Sequence, residues 1–273
     1  MKNKVYELAL FGDPVSHSLS PQIHQQFARQ FDLKINYQLI KVTADEFPLA
    51  VTQFFESGGH GANITLPHKQ QALAVANNIS IRAKQAQAVN TLFRNNESEI
   101  CADNTDGIGF IGDLENRCHF NCRDKKILIL AAGGATQGIV PEIMRQNPMK
   151  LFIANRSIEK AQQICSYENS YAVTFKQLAK IEDKFDLIIH ASSLGHQGKT
   201  LKFFQHQVKA NTICYDLSYA HAAQAFIDFS KSMLVADCYA GLGMLIEQAA
   251  CAFEKWFNLK PDTQLIAKTL MVK

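Results

Sequence analysis

The segment from Lys126 to Ser157 constrains the fold more than any other part of the chain. It reads KILILAAGGATQGIVPEIMRQNPMKLFIANRS, an apolar run followed by a loop of small residues, a helical pattern and a second apolar run. This order is typical of a β-α-β unit that binds a dinucleotide at the turn into its helix. The pattern G-x-G-x-x-G would place glycines at 131, 133 and 136, where this chain has Ala131, Gly133 and Thr136. The segment therefore predicts a parallel α/β sheet, and its loop fits either a phosphate-binding turn or an ordinary strand-to-helix turn.

Composition and charge exclude several other classes of protein. The chain has 273 residues, 47% hydrophobic and 19% charged, which is typical of a globular protein with room for two modest domains. The net charge of +3 is small and the basic residues are dispersed, which argues against nucleic acid or a membrane surface as the main partner. No apolar run approaches the ~18 residues of a membrane span, and the N-terminus lacks a signal-peptide pattern. We expect a cytoplasmic monomer or homodimer that acts on a small molecule.

The cysteine pattern does not indicate a metal site. The seven cysteines are an odd number and most lie in apolar segments, so we expect them to be reduced and buried. The cluster Cys118-His119-x-x-Cys122 lacks a second ligand pair at a spacing that zinc uses. We therefore expect no bound metal.

Short β-like runs alternate with helical patterns along the chain, which predicts an α/β fold. In the first part, strands are expected at residues 6–11, 36–41 and 61–66, with a hairpin from 90–94 and 100–102. In the second part, six strands with intervening helices match a doubly wound sheet. They are expected at residues 127–130, 151–154, 171–174, 187–190, 212–215 and 233–236.

The two parts predict two domains. After Ala240 only helical patterns remain, and with no strand left to follow, these helices are expected to return to the first domain. We therefore predict one domain from residues 1–106 and 240–273 and a second from residues 107–239. The chain crosses between them near two pairs of small residues, which makes those residues candidate hinges. The candidate hinges are Gly107, Gly109, Ala240 and Gly241.

Three polar segments interrupt the apolar runs of the first part, at residues 17–21, 63–69 and 104–107. Each lies at or just past the end of a predicted strand, the edge where open parallel sheets bind ligands. Their hydroxyls, amides, one ammonium and one carboxylate suit a small polyhydroxylated acid. Structural roles also fit: Ser20 can cap a helix, residues 104–107 can form a plain turn, and Lys69 can be a solvated lysine.

The residues after the second strand of the β-α-β unit bear on cofactor choice. Asn155 follows Gly133 by 22 residues, close to the ~20 expected for the group that contacts the ribose. Enzymes that use NAD place Asp or Glu there, whereas this chain has Asn155-Arg156-Ser157 with Lys160 one turn later. Two cations and a hydroxyl suit a 2′-phosphate, and no carboxylate in this segment opposes it. These residues favour NADP, although Arg156 alone also fits a surface position.

Seven motifs in this order and spacing resemble the shikimate dehydrogenase family over nearly the full length of the chain. They are HSLSP (17–21), GANITLPHK (61–69), AVNT (88–91), DNTDG (103–107), AAGGA (131–135), NRS (155–157) and GLGMLIEQA (241–249). The resemblance implies an N-terminal α/β substrate-binding domain and a Rossmann-like NADP-binding domain. It also implies reversible, NADP-dependent interconversion of shikimate and 3-dehydroshikimate in aromatic amino acid biosynthesis.

The same resemblance implies the roles of individual residues. Ser18 and Ser20 would bind the substrate carboxylate, and Tyr219 matches a family position near it. Residues around the ring hydroxyls would be Thr65, Lys69, Asn90, Asp106 and Gln248. The cofactor site would comprise Ala131, Gly133, Gly134, Ala135, Asn155, Arg156, Ser157, Lys160, Gly241 and Met244.

Lys69 and Asp106 are the expected catalytic pair. Oxidation of an alcohol by hydride transfer also requires a proton to leave the hydroxyl oxygen. A lysine takes or returns that proton when its surroundings bring its pKa toward neutrality. A neighbouring carboxylate opposes that shift but orients the ammonium group. We therefore expect Lys69 to be the general acid/base, with Asp106 as its partner.

Most departures from the family pattern lie on the cofactor side. Ala131 stands where the family has glycine, so we expect weaker cofactor binding than in relatives with glycine. His190 replaces a strand-end asparagine, and His196 follows it. Either imidazole fits a position near the nicotinamide, although partly exposed loop positions are the simpler interpretation.

Two other functions stay open at this point. One is a quinate/shikimate dehydrogenase that uses NAD, against which the Asn155-Arg156 pair weighs. The other is a catalytically inactive nucleotide or metabolite sensor on the same scaffold, against which the presence of both Lys69 and Asp106 weighs.

Overall fold

The computed structural model describes residues 4–271, which form two compact units. The first unit combines Met1–Gly109 with Ile246–Lys273, and the second is Phe110–Leu245. Each unit is built on a six-stranded sheet. The α/β prediction is therefore confirmed, and the C-terminal segment from Ile246 onward belongs to the first unit.

The first unit has a mixed sheet. Its strands are β1 (Val5–Gly12), β2 (Lys34–Lys41), β3 (Gly61–Ile64), β4 (Asn78–Ile79), β5 (Thr91–Arg94) and β6 (Ile100–Asp103), in the order β2-β1-β3-β5-β6-β4. Its helices include α1 (Ser20–Gln30), α2 (Phe47–Glu56) and α3 (Ile81–Ala86), with a short 3-10 helix at Gln71–Val75. The pairs β3·β5 and β5·β6 are antiparallel, which confirms the predicted hairpin. The short strand β4 was not predicted.

Side chains of β1 alternate between the two faces of this sheet. Ala9 and Phe11 belong to the apolar cluster that contains Phe47 and Phe55 of α2. Leu8, with the opposite parity, packs in a second cluster with Trp256. The period of two therefore covers both faces, one by α2 and the other by a C-terminal helix.

A helix begins where the first polar segment ends, but Ser20 does not cap it. Ser20 is the first residue of α1 and Leu19 occupies the cap position, where no side-chain bond is made. The backbone N–H of Ser20 donates to Ser18 Oγ at 3.2 Å. The capping interpretation of Ser20 is therefore wrong, and its hydroxyl takes part in a different network.

The second unit has a fully parallel sheet. Its strands are β7 (Lys126–Leu130), β8 (Lys150–Asn155), β9 (Ser170–Thr174), β10 (Leu187–His190), β11 (Ile213–Asp216) and β12 (Asp237–Ala240), in the order β12-β11-β10-β7-β8-β9. The strand order reverses between β7 and β10, as in doubly wound nucleotide-binding folds. Ile127 and Ile129 enter one apolar cluster, and Leu128 and Leu130 enter another, so both faces are covered.

The connecting helices explain one wrong strand prediction. The second unit also contains α4 (Asp106–Asn116, from Phe110 onward), α5 (Gly134–Arg145), α6 (Ile158–Ile164), α7 (Phe175–Leu178) and α8 (His221–Ser232). Short 3-10 helices lie at Ser193–Gln197 and Gln205–Gln207. Residues 233–236 were predicted as the last strand, but α8 runs to Ser232, and Leu234 adopts a φ of 55° and is 81% exposed. The strand begins only at Asp237.

Two long helices pass through the boundaries between the units. The first boundary falls inside α4, after Gly109, and the second inside α9 (Leu242–Phe257), after Leu245. The last helix is α10 (Thr263–Met271). A Cβ atom built on Gly109 would lie 2.5 Å from Gln248 N, so close packing explains this glycine. Within residues 4–271, no helix is both long enough and apolar enough to cross a membrane.

Candidate active site

Lys69 and Asp106 form a direct ion pair in the first unit. Lys69 Nζ donates to Asp106 Oδ2 at 2.6 Å, and the two side chains are only 19% and 8% exposed. Lys69 lies in the turn after β3, where Val89 N donates to its carbonyl oxygen at 2.7 Å. Asp106 opens α4, and its backbone N–H donates to Asn104 Oδ1 at 3.0 Å. A carboxylate in the first helical turn is favoured by the helix dipole.

Asn90 connects this pair to the C-terminal part of the chain. Its Nδ2 lies 2.8 Å from Asp106 Oδ1, 3.0 Å from Thr105 Oγ1 and 3.1 Å from Gln248 Oε1. Its Oδ1 accepts from Thr105 N at 2.9 Å. Three polar side chains from two separate segments, those of Thr105, Asp106 and Gln248, therefore converge on the buried amide of Asn90. Asn90, Asp106 and Gln248 were predicted substrate ligands.

Ser18 and Ser20 also contact each other. Ser18 Oγ donates to Ser20 Oγ at 3.1 Å. Ser20 is buried and hydrogen-bonds to the phenol of Tyr37, a β2 residue. Two adjacent hydroxyls present the donors that a carboxylate requires.

Thr65 is held by β1. Its backbone N–H donates to Phe11 O at 2.9 Å, which continues the β1·β3 pairing one residue beyond the strand. A Cβ built on Gly12 would collide with Thr65 Cγ2. Gly12 therefore makes the space in which the Thr65 side chain sits.

His68 anchors the turn that carries Lys69. Its ring is 1% exposed and stacks on Phe47 with centroids 4.7 Å apart. Its Nε2 lies 2.9 Å from Val42 O. The ring stacking and the contact of Nε2 thus tie the residue before Lys69 to α2 and to the segment after β2.

Asp103 supports the same site, and the sequence argument gave it no role. Its carboxylate accepts from Arg82 Nη2 at 2.6 Å, from Ser80 Oγ at 2.6 Å and from Lys255 Nζ at 3.0 Å. It also accepts from Asn104 N at 2.8 Å, directly before the segment that carries Asp106. Burial alone would raise the pKa of Asp103, but hydrogen bonds from Arg82, Ser80 and Lys255 lower it below its usual value.

The small-residue loop of the second unit connects β7 to α5. Ala131 has a φ of 93°, a left-handed conformation that favours glycine. A Cβ built on Gly133 or Gly134 meets no heavy atom within 4 Å, so the protein's own packing does not require these two glycines. Gly134 and Ala135 form the first turn of α5, where backbone N–H groups favour anions.

The residues at the predicted ribose position divide into two kinds. The side chain of Asn155 stabilises the loops around it, because its Oδ1 accepts from Ala132 N at 3.3 Å and its Nδ2 donates to Ser157 O at 2.8 Å. Arg156 and Lys160 are exposed, and neither forms an ion pair with any residue between 4 and 271. Both cations are therefore available to an anionic ligand.

One part of the cofactor argument is wrong. The sequence reasoning found no carboxylate that opposes a 2′-phosphate, but Glu159 Oε2 accepts a hydrogen bond from Ser157 Oγ at 2.7 Å. This hydrogen bond lowers the pKa of the Glu159 carboxyl. A negative charge therefore lies next to one of the predicted 2′-phosphate ligands.

The remaining predicted ligands lie elsewhere in the second unit. Tyr219 is half-buried in the segment after β11, whereas the other predicted substrate ligands belong to the first unit. Gly241 follows β12, and its N–H donates to Ser218 O at 2.8 Å. Met244 is 8% exposed and belongs to the apolar core.

His190 is not the partly exposed loop residue that was expected. It ends β10 with no exposed surface, and its Nδ1 lies 2.8 Å from Oδ2 of Asp216, its register partner on β11. Its ring stacks on Phe226 of α8. The apolar faces of a parallel sheet bury a strand-end imidazole when the next strand supplies its hydrogen-bond partner. His196 is exposed, as expected.

Three family models of known proteins match successive parts of the chain. The shikimate dehydrogenase substrate binding domain matches residues 10–92, shikimate/quinate 5-dehydrogenase matches residues 113–218, and the shikimate 5'-dehydrogenase C-terminal domain matches residues 241–271. A shikimate dehydrogenase (NADP(+)) from Vesicomyosocius okutanii subsp. Calyptogena okutanii (strain HA) is 40% identical over 268 residues, which cover 97% of this chain and 99% of that protein.

Solved structures share the fold. The Ael1 enzyme from Pseudomonas putida is 31% identical with a TM-score of 0.90, over 97% of this chain and 98% of that chain. Shikimate 5-dehydrogenase from Thermus thermophilus, in complex with NADP(H) and shikimate, has a TM-score of 0.82 at 24% identity, over 96% of this chain and 97% of that chain. At 24% identity this similarity concerns the fold alone.

The doubly wound sheet and the separate α/β unit define a protein of the two-unit dehydrogenase class. Three successive family matches and a 40% identical relative aligned over nearly the whole length identify the family more closely. The chain belongs to the shikimate dehydrogenase family.

Proposed function

We propose that this chain is an oxidoreductase that interconverts shikimate and 3-dehydroshikimate with NADP(H). The observation that carries the proposal is the 2.6 Å contact between Lys69 and Asp106, with the buried amide of Asn90 on the other carboxylate oxygen. An inactive sensor has no need of a partly buried ammonium held in this way. The 40% identical shikimate dehydrogenase (NADP(+)) supports the choice of substrate and cofactor.

Lys69 is the proposed general acid/base. Asp106 pairs with the ammonium form of Lys69, which is the form that donates a proton to the substrate oxygen when the ketone is reduced. In the reverse direction the neutral amine takes the hydroxyl proton. Asn90 keeps the carboxylate in place, so that Asp106 orients Lys69 without leaving its own position.

The first unit is the proposed substrate-binding domain. Ser18 and Ser20 supply two neighbouring hydroxyl donors for the carboxylate of shikimate. The amides of Asn90 and Gln248, with the hydroxyl of Thr65, pair with the ring hydroxyls. Tyr219, in the segment after β11, is a further proposed ligand of the substrate carboxylate.

The second unit is the proposed NADP-binding domain, and its residues fit the cofactor. Gly133, Gly134 and Ala135 lie where the first turn of α5 presents backbone N–H groups to a pyrophosphate. Arg156 and Lys160 are exposed cations for a 2′-phosphate. Asn155 and Ser157 hold the ribose side, and Gly241 and Met244 complete the predicted set. The chemistry that NADP supplies there is hydride exchange with the substrate carbon.

One assay tests the function. Purified protein is mixed with shikimate or quinate and with NADP⁺ or NAD⁺, and absorbance is followed at 340 nm. We expect turnover of shikimate with NADP⁺ and a much lower kcat/KM in the other three combinations. Preference for quinate and NAD⁺ would support the quinate/shikimate dehydrogenase alternative, and a lack of turnover in every combination would support a non-catalytic role.

A further inference from the structure

His24 lies in the first unit with no solvent-exposed surface. It projects from α1 among aromatic rings, with its centroid 4.9 Å from the Tyr37 ring at 14° and 4.8 Å from the Trp256 ring. Its Nε2 lies 3.2 Å from Asn63 Oδ1. Neither His24 nor Asn63 has a role in the function described so far.

The orientation of the Asn63 amide follows from its neighbours. Asn90 O is a carbonyl oxygen and can only accept, so the group of Asn63 that faces it at 3.2 Å is the Nδ2 amino group. Asn63 Oδ1 therefore faces the other way, where Tyr37 Oη donates to it at 2.8 Å. His24 Nε2 approaches the same oxygen, so it must carry a hydrogen.

The burial of His24 makes it a permanent donor. Burial lowers the pKa of His24 to about 3, and the hydrogen bond to Asn63 acts in the opposite direction without overcoming this effect, so the imidazole is neutral and has a single N–H. Its Nδ1 is buried and has no hydrogen-bond partner among residues 4–271. A hydrogen on Nδ1 would be an unsatisfied buried donor, so the Nε2–H tautomer is the stable one.

Asn63 connects the two halves of the substrate site. On one side Tyr37 hydrogen-bonds to Ser20, which accepts from Ser18. On the other side Asn63 Nδ2 donates to the backbone carbonyl of Asn90, whose side chain contacts Asp106 and Gln248. If the Asn63 amide turned over, its oxygen would face the Asn90 carbonyl and its amino group would face the Nε2–H of His24, so neither of these two hydrogen bonds could form.

We propose that His24 is a positioning residue of the substrate site, which acts by locking the Asn63 amide through its Nε2–H. With the amide fixed, Tyr37 stays in contact with Ser20 at the proposed carboxylate subsite. The backbone carbonyl of Asn90 also stays hydrogen-bonded to Asn63. The inference rests on the proposed function, because it concerns binding of the same substrate.

Three substitutions of His24 separate hydrogen bonding from packing. His24→Phe keeps an aromatic ring among Tyr37 and Trp256 but loses the N–H. His24→Gln loses the ring, but its amide nitrogen reaches approximately the position of Nε2. His24→Asn also loses the ring, but its amide nitrogen reaches only the position of Nδ1. A residue that acts by packing alone would tolerate Phe and treat Gln and Asn alike.

We expect the KM for shikimate to rise about tenfold in His24→Phe and His24→Asn, and about threefold or less in His24→Gln, with kcat within about threefold throughout. His60→Phe is the matched control. His60 Nε2 binds Trp256 O at 2.7 Å, so this variant disturbs the same tryptophan without touching Asn63. We expect it to retain the wild-type KM.

Two independent readouts complete the test. Titration of shikimate into each variant gives Kd without turnover, and thermal unfolding shows whether the variant is folded. In the wild-type protein, ¹⁵N chemical shifts of the His24 ring should report the Nε2–H tautomer without change from pH 5 to 8. A wild-type KM in His24→Phe, equal effects of Gln and Asn, or an Nδ1–H tautomer would each overturn the proposal. Failure of the proposed function would instead appear as inactivity of the wild type.

Discussion

Thr136 Oγ1 donates a hydrogen bond of 2.8 Å to the carbonyl oxygen of Ala131. These residues occupy the first and third glycine positions of the dinucleotide pattern. The hydroxyl of a fully buried side chain thus stabilises a turn in which Ala131 has a φ of 93°. The two departures from the pattern are therefore coupled: the residue at 136 helps to hold the strained residue at 131.

Replacing Ala131 with glycine should stabilise the second unit. A non-glycine residue in a left-handed conformation costs of order 1 kcal/mol or more, which glycine avoids, although glycine loses more backbone entropy on folding. We expect Ala131→Gly to raise the thermal unfolding midpoint and to tighten NADP⁺ binding, both measurable without catalysis. Thr136→Val is the matched comparison, and we expect it to lower stability by about 1–2 kcal/mol because the turn loses its hydrogen bond. Unchanged NADP⁺ affinity in Ala131→Gly would contradict the expected role of position 131 in cofactor binding.

Removing the amine of Lys69 should affect turnover more than binding. General acid/base groups contribute about 10²–10⁴-fold to rate, so we expect Lys69→Ala to lower kcat by that factor with little change in the KM for shikimate. Lys41→Ala is a suitable control, because Lys41 forms an exposed ion pair with Asp13 at 3.3 Å. Near-normal turnover of Lys69→Ala would exclude the proposed proton-transfer role.

Asp103 should contribute stability that depends on pH. Its pKa is lowered in the folded protein, so its contribution is complete above the unfolded value of 3.8 and is lost as the pH falls through the lower folded value. We expect Asp103→Asn to cost about 2–3 kcal/mol at pH 7, because Arg82 and Lys255 lose their shared carboxylate.

Urea unfolding at pH 7 and below pH 3 measures this effect. The difference between the wild type and Asp103→Asn should shrink at the lower pH. The control is Asp45→Asn, an isosteric change at an exposed residue of the same unit, and it should make little difference at either pH. A pH-independent difference for Asp103→Asn would argue against ionisation of this carboxyl as the cause.

A methyl group at Gly109 should displace Gln248. The Cβ would lie 2.5 Å from both the N and the Cβ atoms of Gln248, and neither backbone can yield without shifting a helix. We expect Gly109→Ala to cost about 1–3 kcal/mol of stability and to raise the KM for shikimate. In a Gln248→Ala background, Gly109→Ala should add little to the KM for shikimate, because the glutamine side chain that it would displace is already absent. Additive effects on KM would mean that Gly109 does not act through Gln248.

Neutralising Glu159 should increase the preference for NADP. Its carboxylate is exposed and hydrogen-bonded to Ser157, so it would repel a 2′-phosphate bound by the proposed ligands Arg156 and Lys160. We expect Glu159→Gln to raise the ratio of kcat/KM for NADP⁺ over NAD⁺ by about twofold to fivefold at low salt, and less at high salt. Glu182→Gln, an exposed change before β10, is the charge-matched control. An equal change with both cofactors would show that Glu159 does not contact the 2′-phosphate region.

Local sequence patterns determined the class of fold and the main chemical groups. The runs that form β7 and β8 are short and apolar, and a small-residue loop and a helical pattern separate them, so their identity as neighbouring parallel strands follows from pattern and connection length alone. Lys69 and Asp106 follow predicted strands, and the rule that open α/β sheets bind ligands at strand ends made both candidate ligands. Each of these inferences needs only information within a few residues of the motif.

Tertiary structure decided which polar groups meet. The sequence favoured a partly exposed position for His190, whereas in the fold β11 places Asp216 next to its ring. Residues 233–236 were predicted as a strand, but α8 extends to Ser232. Three separate elements carry His24, Tyr37 and Asn63. No local pattern indicates that the amide oxygen of Asn63 accepts hydrogen bonds from both His24 and Tyr37. Hydrogen-bond partners in a buried network are distant in the chain, and their direction depends on burial and on the neighbouring carbonyl groups, which only the folded chain supplies.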